Sequence, residues 1–87
     1  MLGLTKRASH ELKKTLSECD CPRRCFRLTI TQHGPQLLYD EPLPGDVALK
    51  DEERVVVVVD RAIANRLGGH RIDYEADAAR LVLRAQA

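Results

Sequence analysis

Arg54-Val55-Val56-Val57-Val58-Val59-Asp60-Arg61-Ala62-Ile63-Ala64-Asn65-Arg66-Leu67-Gly68-Gly69-His70-Arg71-Ile72-Asp73-Tyr74 decides how this chain folds. Five consecutive valines favour an extended backbone, because a β-branched side chain is crowded at χ1 in a helix and packs well on a pleated surface. The run is apolar at every position, so both of its alternating faces are expected to be covered, most simply at the centre of a sheet with helices packed on it. Asp60 is placed to cap a short helix: its carboxylate can accept from an orphan N–H of the first turn, and its charge suits the positive end of the helix dipole. Ala62, Ile63, Arg66 and Leu67 suit that helix, and Gly68 or Gly69 can take the left-handed conformation that stops it. Arg71 to Tyr74 returns as a strand.

Working outward towards the N-terminus, Asp51-Glu52-Glu53 is a charged turn, Val47 to Lys50 a short strand, and Pro42-Leu43-Pro44-Gly45-Asp46 a break. Phe26, Leu28 and Ile30 alternate with Arg27, Thr29 and Thr31, the period of a strand with one buried face. Gln32-His33-Gly34-Pro35 is turn chemistry, after which Gln36 to Asp40 completes a hairpin. Leu4, Ala8, Leu12 and Leu16 recur every fourth position, which predicts an amphipathic first helix with Thr5 as its cap and His10 and the lysines on the wet side. Towards the C-terminus, Glu75 to Ala79 reads as either a turn or one helical turn, and Arg80 to Arg84 alternates as a last strand. The expected architecture is a single α+β domain over residues 1–87, a small mixed β-sheet of about six strands with two helices.

Composition excludes several classes. Fourteen Lys and Arg against thirteen Asp and Glu give a formal charge of +1, with the cations scattered among acids. Nucleic acid is not expected as a partner, since phosphate binding needs clustered cations and single strands add stacking aromatics. Phe26, Tyr39 and Tyr74 are the only aromatic residues. No apolar stretch approaches the roughly 20 residues that span a bilayer. The start, Met1 to Arg7, has no apolar signal region, so no membrane association and a cytoplasmic location are expected. No G-x-S-x-G, H-E-x-x-H or phosphate-binding glycine loop is present, and a non-enzymatic role is expected.

Four pieces of the chain resemble the HesB/IscA-like domain of the A-type iron-sulfur carriers. Leu4-Thr5-Lys6-Arg7-Ala8 resembles the family's leading "LT-x-x-A" helix. Tyr39-Asp40-Glu41-Pro42 with Gly45-Asp46 resembles its acidic turn. Val57-Val58-Val59-Asp60 followed by Leu67-Gly68-Gly69-His70-Arg71-Ile72-Asp73-Tyr74 resembles its "VD", "L-x-G", "IDY" stretch, and Arg80-Leu81-Val82-Leu83 stands where the family has its closing strand. The resemblance implies the HesB-like fold, with a short helix after the central strand. It also implies a role in iron-sulfur cluster assembly or metal handling, protein partners among the assembly machinery or apo-acceptor proteins, and a homodimer. The family's ligand cysteines, one in the first hairpin loop and a C-x-C pair in the C-terminal tail, have no counterpart at Gln32 to Pro35 or in the stretch ending at Ala87. Soft thiolates are what retain cluster iron, so the family's usual site is not expected here.

The thiols that are present are Cys19, Cys21 and Cys25, within seven residues of one another. A C-x-C-x3-C spacing in a loop lets two or three sulfurs converge on an iron-sulfur cluster, iron or zinc, with His33 the further candidate ligand. Arg23 and Arg24 are expected to lower the thiol pKa values. Two other readings stand beside this one. Cys25 beside Phe26 can be a small buried hydrophobe with the others incidental, leaving a metal-free protein-interaction module. Alternatively the thiols form a redox pair, joining Cys25 to Cys19 or Cys21.

Overall fold

The valine run forms the inner strand β5 (Arg54–Val59) of a four-stranded sheet. The computed structural model describes residues 2–18 and 24–85. Around β5 lie β2 (Cys25–Thr31), β3 (Gly34–Asp40) and β4 (Val47–Asp51), in the order β3-β2-β5-β4. β2 runs parallel to β5, while β3 and β4 are antiparallel to their neighbours. Val56, Val57, Val58 and Val59 are all fully buried, as a run with no polar face requires.

The two faces of β5 are covered differently, which corrects the expectation of helices on each. Phe26 and Leu28 sit in register with Val57 and Val59, and all four belong to one apolar cluster with the buried helical residues Ala8, Leu12, Leu16 and Ala64. Val58 sits in register with Arg27, so that its face carries Arg27 and Cys25. Val56 is the extra residue of a bulge, since Leu49 pairs with Val57 and Lys50 with Val55.

A second, three-stranded sheet has the order β1-β6-β7, from β1 (Gly3–Leu4), β6 (His70–Glu75) and β7 (Arg80–Ala85). Sequence periodicity placed Leu4 on the first helix. Instead Leu4 pairs with Ile72 in the parallel β1–β6 ladder, and α1 (Lys6–Glu18) starts after Thr5. Two residues are too few to display a period of two, so β1 adds a seventh strand that patterning does not reveal. Thr5 does cap α1, its Oγ1 accepting from the Ala8 N–H at 3.2 Å. Asp60 caps α2 (Arg61–Arg66) through the Ala62 N–H at 2.8 Å, and Gly69, at φ +83°, supplies the left-handed residue beyond it. Residues 76–79 form a turn, closed by the Ala79 N–H donating to the Ala76 carbonyl.

The β4–β5 hairpin turns through Glu52 at φ 50° and Glu53 at φ 72°. Two left-handed residues in a two-residue hairpin turn match the twist of the strands, but this geometry favours Asn and Gly over glutamate. The turn is held to α1 by Asp51, which accepts from Ser9 Oγ and from Lys13 Nζ at 3.3 Å. Ser9 is the buried polar residue of the described set, and this bond satisfies it.

Candidate functional site

Cys25 opens β2 on the sheet face opposite the apolar core and is completely enclosed. Its Sγ donates to the Asp40 carbonyl at 3.5 Å across the β2–β3 ladder. Two residues along the same face, Arg27 holds three partners. Its Nε donates to Asp40 Oδ2, its terminal nitrogens grip both oxygens of Asp46 at 2.6 and 3.2 Å, and one of them reaches the Glu41 carbonyl at 3.3 Å. Both acids are themselves held, Asp46 by the Leu43 N–H and Asp40 by the Glu41 N–H, each at 2.8 Å. A forked guanidinium filled by two carboxylates has little donor capacity left for a ligand.

Burial and charge set the ionisation. The hydrogen bond from Arg27 holds Asp40 and Asp46 below the usual carboxylate range, helped in each case by a backbone N–H. Those carboxylates push the Arg27 guanidinium up in turn. Burial raises the Cys25 thiol above its ordinary value; Arg27 opposes this, while Asp40, Asp46 and Glu41 add to it. Arg23 lies outside the described residues, and at Cys25 the expected lowering is not found: enclosure outweighs Arg27, the cation that acts on it, and favours the neutral thiol.

The candidate ligands fall in three places. Cys19 and Cys21 lie outside the described residues. Cys25 stands at one end of the β2–β3 hairpin, and His33, exposed in its two-residue turn, at the other. Six residues of extended chain span about 20 Å, so Cys25 and His33 do not share an ion within one chain. Among the described residues no three His, Cys, Asp or Glu side chains are grouped to hold a metal ion.

Sequence reasoning missed Arg27, Asp40 and Asp46 as one cluster. The signals were present: Arg27 alternates with the core residues Phe26 and Leu28, and Asp40 and Asp46 bracket a turn rich in Pro and Gly. A second junction also went unread. Thr5 Oγ1 donates to Asp73 Oδ1 at 2.8 Å, the Thr5 N–H donates to the Ile72 carbonyl at 2.9 Å, and Arg84 Nε donates to Asp73 Oδ2 at 3.0 Å.

No family model and no curated protein sequence matches the chain. Solved structures do. The crystal structure of Escherichia coli SufA, described as involved in biosynthesis of iron-sulfur clusters, is similar with a TM-score of 0.74 at 19% identity, over 95% of this chain and 81% of that one. A putative Fe-S biosynthesis protein from Lactobacillus acidophilus is similar with a TM-score of 0.59 at 18% identity, over 97% of this chain and 76% of that one. The fold is HesB/IscA-like. Within it, the sequence pieces that resemble the family are joints of the frame: Leu4-Thr5 meets Ile72-Asp73, Asp60 caps α2, and Asp40 with Asp46 clamps Arg27. The HesB/IscA-like fold therefore carries the likeness in its structural bonds. Cys25, the described cysteine, is buried in this frame.

Proposed function

We propose that this protein is a non-enzymatic accessory protein of iron-sulfur cluster assembly or metal handling, working in the cytoplasm with protein partners from the assembly machinery or with apo-acceptor proteins. The observation that carries this reading is the likeness to SufA over 95% of the chain, together with the joints that hold the frame. In this reading Cys19, Cys21 and Cys25 supply the sulfur for an iron-sulfur cluster, iron or zinc, in place of the family's loop and tail cysteines. Cys25 joins such a site only if its enclosure opens, because a neutral buried thiol is a poor ligand.

A second reading, a metal-free protein-interaction module on the same fold, is favoured by one observation: Cys25 is enclosed and bonded to the Asp40 carbonyl. Anaerobic reconstitution with iron and sulfide separates the two. The wild type and a Cys19→Ser, Cys21→Ser, Cys25→Ser variant are compared by visible absorbance and by iron, zinc and sulfide content. Thiol-dependent colour supports the carrier reading, and thiol-dependent zinc without colour supports a structural or redox site. Sub-stoichiometric metal in both proteins rejects metal handling and leaves the interaction module. Sedimentation of the same samples tests the expected homodimer.

A further inference from the structure

Among the described residues four strand edges border the two sheets, and three of them are blunted. β3 carries Pro35, which donates no hydrogen bond to an added strand; β4 carries Lys50 and is twisted where the Val56 bulge of β5 lies beside it; β1 is two residues long. β7 has none of these devices. Its six residues, Arg80-Leu81-Val82-Leu83-Arg84-Ala85, contain no proline and no lysine, and among the described residues it pairs with β6 alone. An unpaired row of N–H and C=O groups of this length is a template for another strand.

The side chains on β7 specify what that strand must carry. Leu81 and Leu83 pack against the core, and together with Leu28, Leu37 and Ile72 they border a cleft that opens between β7 and β3. Inward residues of an added strand therefore have to be apolar. Arg80, Val82 and Arg84 face the other way. Both arginines reach back to β6, Arg84 to Asp73 at 3.0 Å and to Glu75 at 3.4 Å, and Arg80 to Glu75 at 3.5 Å. Their side chains are 66% and 46% exposed, so they also stand beside the outward residues of a new neighbour.

We infer that the β7 edge takes an extended segment of a partner protein by strand addition, with apolar residues opposite Leu81, Val82 and Leu83 and an acidic residue opposite each of Arg80 and Arg84. A second copy of this chain fits poorly. Antiparallel self-pairing centred on Val82 sets Arg80 against Arg84 of the other copy, and like charges directly opposite oppose pairing. The inference stands independently of any iron-sulfur role, because it uses no cysteine and no metal.

The test uses the isotope-labelled full chain and two capped peptides, Ser-Glu-Val-Ile-Val-Glu-Ser and Ser-Lys-Val-Ile-Val-Lys-Ser. With the acidic peptide, amide shifts and slowed hydrogen exchange are expected along residues 80–85, with weaker binding of the lysine peptide. Arg80→Glu, at an exposed position, is expected to weaken the acidic peptide about fivefold and to strengthen the lysine peptide. Val82→Lys, which blunts the edge without touching either arginine, is expected to weaken both. Absence of saturable shifts, equal affinity for the two peptides, shifts confined to β3 or β4, or protection of β7 by self-association in the absence of peptide would each overturn the inference.

Discussion

Arg27 and Asp73 are each the hub of a charged cluster, and the two do different work. Asp73 joins segments far apart in sequence: Thr5 is 68 residues away, and the bond ties the start of α1 to β6 while Arg84 ties in β7. Arg27 joins a hairpin to the loop that follows it, across 13 and 19 residues. The Arg27 side chain is 15% exposed and its partner Asp46 11%, against 46% for Arg84 at the other hub. Charge withdrawn from water must be matched, whereas a wet hub is screened and its members are worth less. The Asp73 hub closes the topology. The Arg27 hub covers the outer face of β2 beside an enclosed thiol.

The comparison is broken most severely by Arg27→Met, which leaves Asp46 enclosed without its partner and is expected to cost about 2 kcal/mol in urea unfolding. That penalty should shrink in acid. Asp40 and Asp46 have lowered folded pKa values, so their contribution is complete above the ordinary carboxylate range and is lost as pH falls below about 4. Unfolding curves of wild type and Arg27→Met should therefore converge between neutral pH and acid. A constant gap would show that packing of the arginine stem, not charge, holds the face.

The same variant sharpens the reading of the thiol. In a Cys19→Ser, Cys21→Ser background, native alkylation of Cys25 is expected to be slow, because the sulfur is enclosed, and to accelerate at least tenfold in Arg27→Met, where loss of the cover outweighs loss of the cation that favours thiolate. Thr5→Val at the other hub is expected to cost about 1 kcal/mol, from the lost cap and the lost bond to Asp73. Combined with Asp73→Ala it should cost less than the sum of the two, since each removes the Thr5–Asp73 bond. The smallest effect lies away from both hubs. Glu53→Gly relieves a left-handed glutamate at φ 72° and is expected to raise stability by about 0.5 kcal/mol, read as an increase in Tm.

The likeness to the HesB/IscA-like fold was legible because its pieces are local rules repeated at fixed spacing. Val57 to Asp60 encodes a strand and a cap, Gly69 a stop, and Phe26 and Leu28 a strand with one buried face; Ile30, expected on that face, is 44% exposed because it stands at the far end of β2, beyond the residues paired with β5. The thiols were legible as a spacing and no further. Nothing in Cys-x-Cys-x3-Cys tells whether a sulfur is exposed or enclosed, and Cys25 is enclosed on the Arg27 face, where its Sγ meets the Asp40 carbonyl.

By itself, the sequence determined the order of the two helices and of every strand after β1, the caps at Thr5 and Asp60, and the central place of the valine run, because each depends on neighbours within a few residues. The tertiary structure alone decided that the strands divide into sheets of four and three, that Leu4 leaves the helix to pair with Ile72, and that Arg27 meets two aspartates beside an enclosed thiol. Those outcomes depend on which distant backbone and side-chain groups can satisfy one another once water has been excluded, a competition that no local pattern records.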